Sequence, residues 1–359
     1  MDGCWVVVAI AMGAALLFTP LVRLVCMRTC LYDPPGPLKI HSHPIPRLGG
    51  IALALSLGLA ISCGRRISDF PTGILFVALA LIWLTGLADD LRGLSPWVRL
   101  AAQIASATLL WHEGWRVPLL GGGWNWLAAC LLVIAFVNAL NFLDGADGLA
   151  AGTVAIIAVG YAALPAGMLS DLGIVVAWSL LGATTGFLAH NFPPAKIFLG
   201  DSGSTVLGFS FAFLALDSFR AGASAHSLPL FPFLFAAVPL LDAALAVLRR
   251  VLSGGSPLLG DRFHFYDLLI ARGSTPRKVA LACYSITAVL VAAGWWSMRV
   301  GFAQAVMISA FCFGALLTAA LWLGSLSSSP ADLRVQQEKT AAPSGNVLPS
   351  AEDFTFCRK

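Results

Sequence analysis

The chain has 359 residues, of which 58% are hydrophobic and only 11% are charged, and its mean hydropathy is +0.84. This composition lies far outside the range of soluble globular domains and predicts a polytopic membrane protein. A net charge of +4, with the basic residues spread along the chain, argues against a nucleic-acid partner.

Eleven apolar stretches are each long enough to cross a bilayer as a helix. They predict an all-α integral membrane protein with about eleven transmembrane helices and with its termini on opposite sides. Most of the 22 Lys and Arg residues fall in alternate loops and in the C-terminal tail, which predicts that this side is cytoplasmic and that the N-terminus is outside. The stretches lie near residues 4–26, 48–63, 70–88, 97–112, 124–142, 149–166, 172–190, 203–219, 229–251, 279–298 and 301–324.

The first predicted cytoplasmic loop, residues 32–50, is rich in proline, which argues against a helix. Its Lys39, His41 and Arg47 offer cationic donors to a bound anion. A rigid polar connector without further function is the alternative interpretation.

Two adjacent carboxylates, Asp89 and Asp90, end the third apolar stretch. Neighbouring negative charges at a membrane edge repel one another unless a cation or a shared proton relieves the repulsion. The pair is therefore a candidate for binding or proton transfer, and a solvated pair at a helix end is the alternative.

The central segment Val137–Leu149 carries amides and carboxylates at intervals of three residues: Asn138, Asn141, Asp144 and Asp147. On a helix this spacing predicts one polar stripe in which neighbouring side chains face each other. Gly145 and Gly148 indicate that the helix ends within this segment. Carboxylate and amide oxygens suit Mg²⁺ that also holds phosphate oxygens, whereas a capping and turn cluster is the simpler alternative.

Two further segments follow on the same side. In residues 193–205, Asp201, Ser202 and Ser204 precede an apolar stretch, an arrangement that can present a carboxylate, hydroxyls and free helix-start N–H groups to a phosphate and its metal, or serve as an ordinary helix cap. The basic segment 249–277 holds a single histidine among aromatic residues, and its arginines can also be membrane anchors.

From residue 325 to 359 the composition predicts a disordered cytoplasmic tail, which leaves residues 1–324 as one transmembrane domain.

Five segments of the chain resemble, in order, those of the polyprenyl-phosphate N-acetylhexosamine-1-phosphate transferases, the superfamily named for MraY and WecA. The H-x-x-P-x-P-R-x-G-G pattern of the first segment looks like the WecA branch, and the G-T-P-T-M-G-G sequence of the peptidoglycan branch is absent. The segments are D-P-P-G-P-L-K-I-H-S-H-P-I-P-R-L-G-G, A-D-D-L-R-G-L, N-A-L-N-F-L-D-G-A-D-G-L, F-L-G-D-S-G-S and D-R-F-H-F-Y-D.

The resemblance implies transfer of a sugar 1-phosphate from a UDP-N-acetylhexosamine, such as UDP-GlcNAc, to a polyprenyl phosphate such as undecaprenyl phosphate, with release of UMP. This reaction would start a cell-envelope polysaccharide, for instance lipopolysaccharide O-antigen. The implied location is the bacterial inner membrane with the active site facing the cytoplasm, the implied cofactor is Mg²⁺ with Mn²⁺ as a substitute, and a homodimer is compatible with the resemblance.

The resemblance also implies roles for individual residues, either at the metal, at the acceptor or at the donor. Asp201 and Asn141 would hold the metal, and Asp89 or Asp90 would take or orient the acceptor's proton. Asp144 and Asp147 would line the nucleotide and metal pocket. Contacts to the substrates are expected from Lys39, His41, Arg47, Asn138, Arg262 and His264.

One departure from the superfamily lies in the last segment, where many relatives have H-x-H-H and this chain has His264, Phe265, Tyr266 and Asp267. Three other functions stay open on the sequence alone: a phospho-N-acetylmuramoyl-pentapeptide transferase, an ion-coupled transporter and a lipid-carrier flippase. Intramembrane acids and broken helices also occur in transporters, but here the acids cluster on one predicted membrane face.

Overall fold

A computed structural model describes residues 2–34, 44–65, 72–117, 123–222, 230–254 and 263–326. Lys39, His41 and Arg262, which the sequence predicts to contact substrate, lie outside these residues. The described helices are α1 (Asp2–Arg28), α2 (Gly49–Arg65), α3 (Gly73–Arg92), α4 (Pro96–His112), α5 (Gly123–Leu143), α6 (Leu149–Ala162), α7 (Asp171–Asn191), α8 (Asp201–Gly222), α9 (Phe231–Phe235), α10 (Ala237–Leu252), α11 (Phe265–Ala271), α12 (Pro276–Ser297) and α13 (Phe302–Trp322).

Seven of the described helices are long and apolar enough to cross a membrane: α1, α3, α5, α7, α8, α12 and α13. The predicted class, an all-α polytopic membrane protein, is therefore confirmed, while the count of eleven spans and the orientation stay predictions. The other apolar stretches also form helices, but α2 and α6 are shorter, and the ninth stretch is not one helix. It divides into α9 and α10 at a turn at Ala236.

The first predicted cytoplasmic loop begins and ends in a two-stranded antiparallel ladder, and none of its described part before α2 is helical. Strand β1 (Tyr32–Asp33) pairs with β2 (Ile45–Pro46), with Tyr32 opposite Pro46. The backbone N–H of Phe198 donates to the Pro46 carbonyl at 2.8 Å, and that of Gly49 donates to the Phe198 carbonyl at 2.9 Å. The ladder thus fixes the start of α2 against the segment that leads into α8.

Helix α8 is the centre of the bundle, and every residue from Ser202 to Phe219 is buried. Its aromatic side chains Phe209, Phe211 and Phe213 are fully buried, and the Phe211 ring stacks on Phe136 of α5 at 4.7 Å between centroids. A helix that is apolar all round and buried on every side has its position set by the helices around it.

Small residues let α2 and α3 approach α8 at the level of the backbone. A Cβ atom on Gly50 would lie 2.2 Å from the backbone nitrogen of Gly203, and one on Gly86 would lie 2.7 Å from the carbonyl oxygen of Asp201. Close contact through small residues is a common way in which membrane helices associate. It brings the start of α2 and the end of α3 directly against the start of α8.

The chain immediately after α13 is hydrogen-bonded to α10. Ser325 is buried, and its backbone carbonyl oxygen accepts a hydrogen bond of 2.5 Å from Nη1 of Arg249 on α10. Residues 327–359 of the predicted disordered tail lie outside the described residues, so the division into one transmembrane domain and a tail stays a prediction.

We expect Gly50→Ala to lower the melting temperature of the detergent-solubilised protein, because the added methyl group would force α2 away from α8. Overpacking of this kind costs about 1–3 kcal/mol. Gly58→Ala in the same helix is the matched control, since its Cβ would meet only a Phe76 ring atom at 3.8 Å. Equal melting temperatures for the two variants would contradict the packing argument.

Candidate active site

The described parts of the five sequence segments meet at one end of the bundle. This end is formed by the starts of α2, α6 and α8, by the ends of α3, α5 and α7, and by the segment around His264. Its polar side chains come from elements that are distant in sequence, and their mutual contacts define the candidate site.

Asp90, at the end of α3, binds the first two backbone N–H groups of α8. Its Oδ1 accepts from the Asp201 nitrogen at 2.8 Å and its Oδ2 accepts from the Ser202 nitrogen at 2.9 Å. A carboxylate at a helix N-terminus is stabilised both by hydrogen bonding and by the helix dipole. The expectation that these N–H groups bind a phosphate is therefore wrong, because Asp90 already occupies them.

Asp89 points to a different neighbour. Its Oδ2 lies 2.8 Å from Nη1 of Arg99 on α4, and its Oδ1 accepts from the Leu94 nitrogen at 2.5 Å. The side chain of Asp89 is only 7% exposed, and Asp90 is 9% exposed. A solvated pair at a helix end is thus excluded, and the two adjacent carboxylates have separate partners.

Asn141, in the last turn of α5, contacts the start of α8. Its Nδ2 donates to Oδ1 of Asp201 at 2.5 Å and to the Ser204 hydroxyl oxygen at 3.0 Å. The two residues predicted to share a metal are therefore direct neighbours. The hydrogen bond uses the amide nitrogen of Asn141, so that the oxygen of the same amide is the atom with metal-ligand character.

The predicted polar stripe on one helix is wrong. Helix α5 ends at Leu143, and residues 144–148 form a turn in which Gly148 adopts φ +68° before α6 begins. Asn138 donates to Gln103 of α4 at 2.9 Å, whereas Asp147 accepts from the backbone nitrogen of Ala195 at 2.9 Å. Since glycine permits the left-handed conformation, the chain turns here and the four polar side chains reach different elements.

Asp144 lies in this turn, close to three other carboxylates. Burial raises the pKa of its carboxyl group well above the usual range, and the negative charges of Asp201, Asp90 and Asp147 raise that pKa further. A divalent cation would relieve this repulsion, so the electrostatics of the site favour metal binding.

The oxygen donors of the site fit Mg²⁺ if the substrate supplies some of the metal ligands. Within the part of the chain that the structure describes, no three His, Cys, Asp or Glu side chains converge closely enough to hold a metal ion by themselves. Mg²⁺ commonly uses one or two carboxylates and completes its octahedron with water and substrate phosphates. Asp201, Asp144 and the Asn141 amide suit that kind of site, in which the substrate supplies part of the ligand set.

Three residues hold the 144–148 turn in place; no role for Tyr266 was predicted from the sequence, and Tyr284 and Asn191 were not identified from it. Tyr266 donates its hydroxyl proton to the Phe142 carbonyl at 3.0 Å, and Tyr284 of α12 donates to the Gly148 carbonyl at 2.7 Å. Asn191, the last residue of α7, accepts from the Gly148 nitrogen at 3.1 Å and donates to the Ile197 carbonyl at 2.9 Å. The turn and the segment leading to Asp201 are thereby joined through one amide.

His264 is buried beside a carboxylate that was also missed. Its Nδ1 lies 2.6 Å from Oδ2 of Asp242 on α10, and its ring stacks on Tyr266 at 5.4 Å between centroids. A single acid within the apolar sequence P-L-L-D-A-A-L-A-V is the signal that could have identified Asp242, because acids within apolar spans are costly and tend to be functional.

Arg47 lies in the described part of the first loop, and its positive charge interacts with the Asp90 carboxylate. Its Nε is buried and has no hydrogen-bond partner within the described residues. A buried guanidinium nitrogen without a partner is unfavourable, and a phosphate oxygen would satisfy it.

An apolar groove of about 890 Å³ begins beside Arg99 and runs between α4, α5 and α10. Most of its lining is aliphatic, including Leu240, Val247 and Leu248 of α10. The polar groups are gathered at the end nearest the carboxylates, where the groove is lined by Arg99, Gln103, Asn138 and Asn141. Arg99 and Gln103 are one helical turn apart on α4, a spacing that the sequence could have revealed.

Comparison with known proteins identifies the family. The family model of glycosyl transferase family 4 matches residues 72–219. A decaprenyl-phosphate N-acetylglucosaminephosphotransferase of Mycolicibacterium smegmatis is 33% identical over 303 residues, covering 73% of this chain and 74% of that protein. The chain belongs to this family of polyprenyl-phosphate sugar-1-phosphate transferases.

Two other members of the superfamily bear on the choice of substrate. A probable undecaprenyl-phosphate N-acetylglucosaminyl 1-phosphate transferase of Bacillus subtilis is 29% identical over 291 residues, which cover 77% of this chain and 80% of that protein. A phospho-N-acetylmuramoyl-pentapeptide-transferase of Moorella thermoacetica is 34% identical, but over 196 residues that cover 48% of this chain and 60% of that protein.

We expect Asp89→Asn and Asp90→Asn to have different effects. An Asn at position 90 offers one acceptor to two buried N–H groups, and leaving one unsatisfied costs about 1–3 kcal/mol, so this variant should melt earlier. Asp89→Asn also loses one acceptor, but the donor affected, Arg99, has a side chain that is 32% exposed and can bind water, so this variant should melt closer to wild type. It should lose more turnover than Asp90→Asn, with kcat values differing by roughly tenfold or more, because general-base catalysis contributes about 10²–10⁴-fold. Equal, mild losses in both variants would contradict these separate roles.

We expect Asp144→Asn to stabilise the metal-free protein at about pH 8. The pKa of this carboxyl group is higher in the folded protein than in the unfolded chain, where it is about 3.9. The free energy of unfolding is therefore greatest below about pH 3.9 and falls as the pH rises towards the pKa of the folded state. The advantage of the variant over wild type should therefore shrink towards about pH 5, as measured by thermal unfolding in EDTA. Asp171→Asn, an exposed acid at the opposite end of α7, is the control; an Asp144→Asn protein less stable than wild type at pH 8 would contradict the expectation.

Proposed function

We propose that the protein transfers N-acetylglucosamine 1-phosphate from UDP-N-acetylglucosamine to a polyprenyl phosphate and releases UMP. The observation that carries this proposal is the position of the carboxylate cluster, which lies at the polar end of a long apolar groove. Such a site suits a reaction between a phosphate on a lipid chain and a charged, water-soluble donor. The names of the relatives support the acceptor class and the sugar.

On the acceptor side, the isoprenoid chain would lie in the groove between α4, α5 and α10. Arg99 would bind the acceptor phosphate, because among the described residues it is the cation that lines the polar end of the groove. Asp89, paired with Arg99 at 2.8 Å, would orient this phosphate or accept its proton. The ion pair thereby places a general base beside the nucleophile without leaving either charge unpaired.

On the donor side, Arg47 and His264 would contact the diphosphate, and Asp147 and Asp144 would line the nucleotide pocket. Asp201 and Asn141 would hold Mg²⁺, which when bound supplies positive charge to the donor phosphates. The buried Nε of Arg47 is suited to a phosphate oxygen because it lacks a partner among the described residues. Lys39, His41, Asn138 and Arg262 stay predicted substrate contacts.

In the reaction, an oxygen of the acceptor phosphate attacks the β-phosphorus of the UDP-sugar, and the bond from this phosphorus to the bridging oxygen breaks, so that UMP leaves. Two anions must approach each other, and the cationic side chains around the site offset their repulsion. Asp90 contributes by holding the start of α8, and with it Asp201, in position.

We infer that the site faces the cytoplasm of a bacterial inner membrane and that the product starts a cell-envelope polysaccharide. The bias of Lys and Arg towards the loops on the site's side supports this orientation. A homodimer stays a prediction. A second candidate, transfer of phospho-N-acetylmuramoyl-pentapeptide, is supported by the Moorella thermoacetica relative over about half of the chain.

The deciding experiment is UMP release by the purified protein with polyprenyl phosphate and Mg²⁺, comparing UDP-N-acetylglucosamine with UDP-N-acetylmuramoyl-pentapeptide. We expect turnover only with the first donor, and we expect Asp201→Asn and Asn141→Ala to abolish it while the protein stays folded in detergent. Asp171→Asn at the opposite end should keep wild-type turnover. Wild-type rates for either site variant at ordinary Mg²⁺ would remove that residue from the proposed metal site, and turnover with the pentapeptide donor would establish the second candidate.

A further inference from the structure

We propose that Asp242 is a positioning residue of the transfer reaction, which acts by fixing the orientation and the tautomer of His264. This inference rests on the proposed function, because His264 is placed there at the diphosphate of the donor. Asp242 does not itself line the groove, and its carboxylate is directed at the histidine.

The contact between the two residues uses both carboxylate oxygens. Oδ2 of Asp242 lies 2.6 Å from Nδ1 of His264, and Oδ1 accepts from the backbone nitrogen of Phe265 at 3.0 Å. The side chains of Asp242 and His264 are 7% and 5% exposed. An ionised carboxylate only accepts hydrogen bonds, so Nδ1 must carry a proton, and the tautomer of the ring is thereby set.

The plane of the ring is fixed as well. The imidazole lies parallel to the Tyr266 ring, with an interplanar angle of 3°, and the Phe142 ring lies 5.6 Å from it. Tyr266 is in turn hydrogen-bonded to the Phe142 carbonyl, immediately before the turn that carries Asp144. The ring is therefore held between α10 and the end of α5, where the carboxylate cluster begins.

A second buried carboxylate shows what a purely structural role looks like. Asp217 of α8 is 0% exposed and accepts hydrogen bonds from Nε1 of Trp115 and from the nitrogen and hydroxyl of Ser170. These partners join loops at the end of the bundle opposite the site. Asp242 differs because its partner is an imidazole within the site, whose function depends on which nitrogen bears the proton.

Asp242→Asn tests this distinction with little change of shape. Asn can keep the bond to the Phe265 nitrogen through its oxygen, while its amide nitrogen donates to Nδ1 of His264 and moves the ring proton to Nε2. We expect kcat/KM for the UDP-sugar to fall by roughly 10- to 100-fold, because a hydrogen bond to a charged group contributes about 1.5–3 kcal/mol. The loss should not exceed that of His264→Ala.

A double-mutant cycle separates positioning from folding. If Asp242 acts through His264, adding Asp242→Asn to His264→Ala should change kcat/KM by less than about twofold, whereas independent effects would multiply. Asp217→Asn, the matched control, should lower the melting temperature and leave the KM for the UDP-sugar unchanged. Multiplicative losses in the cycle, or wild-type kcat/KM in Asp242→Asn, would overturn the proposal.

Nitrogen NMR of ¹⁵N-histidine-labelled protein gives a readout that does not depend on activity. The His264 signals, assigned by their loss in His264→Ala, should show a protonated Nδ1 in wild type and a protonated Nε2 with an unprotonated Nδ1 in Asp242→Asn. An unchanged tautomer would contradict the inference even where the variant is inactive. If wild type releases no UMP but the tautomer changes as expected, the proposed function fails and the contact with Asp242 stands.

Discussion

The arrangement of the site depends on one contact, in which the Asp90 carboxylate binds the first two N–H groups of α8. Helix α8 is buried from Ser202 onwards to Phe219, so its N-terminus cannot rely on bulk water alone to satisfy these groups. Asp90 satisfies them from the end of α3, and the glycine contacts of Gly50 and Gly86 bring the surrounding backbone close enough. Asp201 is the first residue of α8, and its position follows from this contact.

The same geometry concentrates negative charge. Asp144, Asp147, Asp90 and Asp201 interact electrostatically, and their repulsion opposes the ionisation of Asp144 in particular. The hydrogen bonds around the cluster hold these groups in place despite the repulsion, with Asn141 on Asp201 and the Ala195 nitrogen on Asp147. A bound cation would remove this repulsion. The repulsion therefore strengthens cation binding and lowers the free energy of unfolding of the cation-free protein.

Hydropathy was sufficient to predict the helices, since long apolar stretches in a bilayer have few other stable conformations. It could not predict the break at Ala236, because residues 229–241 carry no charged side chain that would interrupt the apolar stretch. At the site, spacing identified Asn141 and Asp201 as candidates, but it placed Asp144 and Asp147 on a helix that ends before them. The sequence could have marked Asp242 as a lone acid in an apolar stretch, but it could not identify His264 as its partner or Gly148 as the partner of Asn191, because these contacts join distant parts of the chain.

The dimensions of the groove bear on how much of a lipid acceptor it could enclose. Pockets of roughly 300–1,000 Å³ enclose a drug-sized molecule, and the groove, at about 890 Å³, lies within that range. A chain of ten or eleven isoprene units is much larger, so an acceptor seated in the groove would leave its far end among the lipids. The protein would then have no means of measuring the full length of its acceptor. One relative is named for decaprenyl phosphate and another for undecaprenyl phosphate, and a groove that encloses only part of the carrier would not distinguish these two lengths.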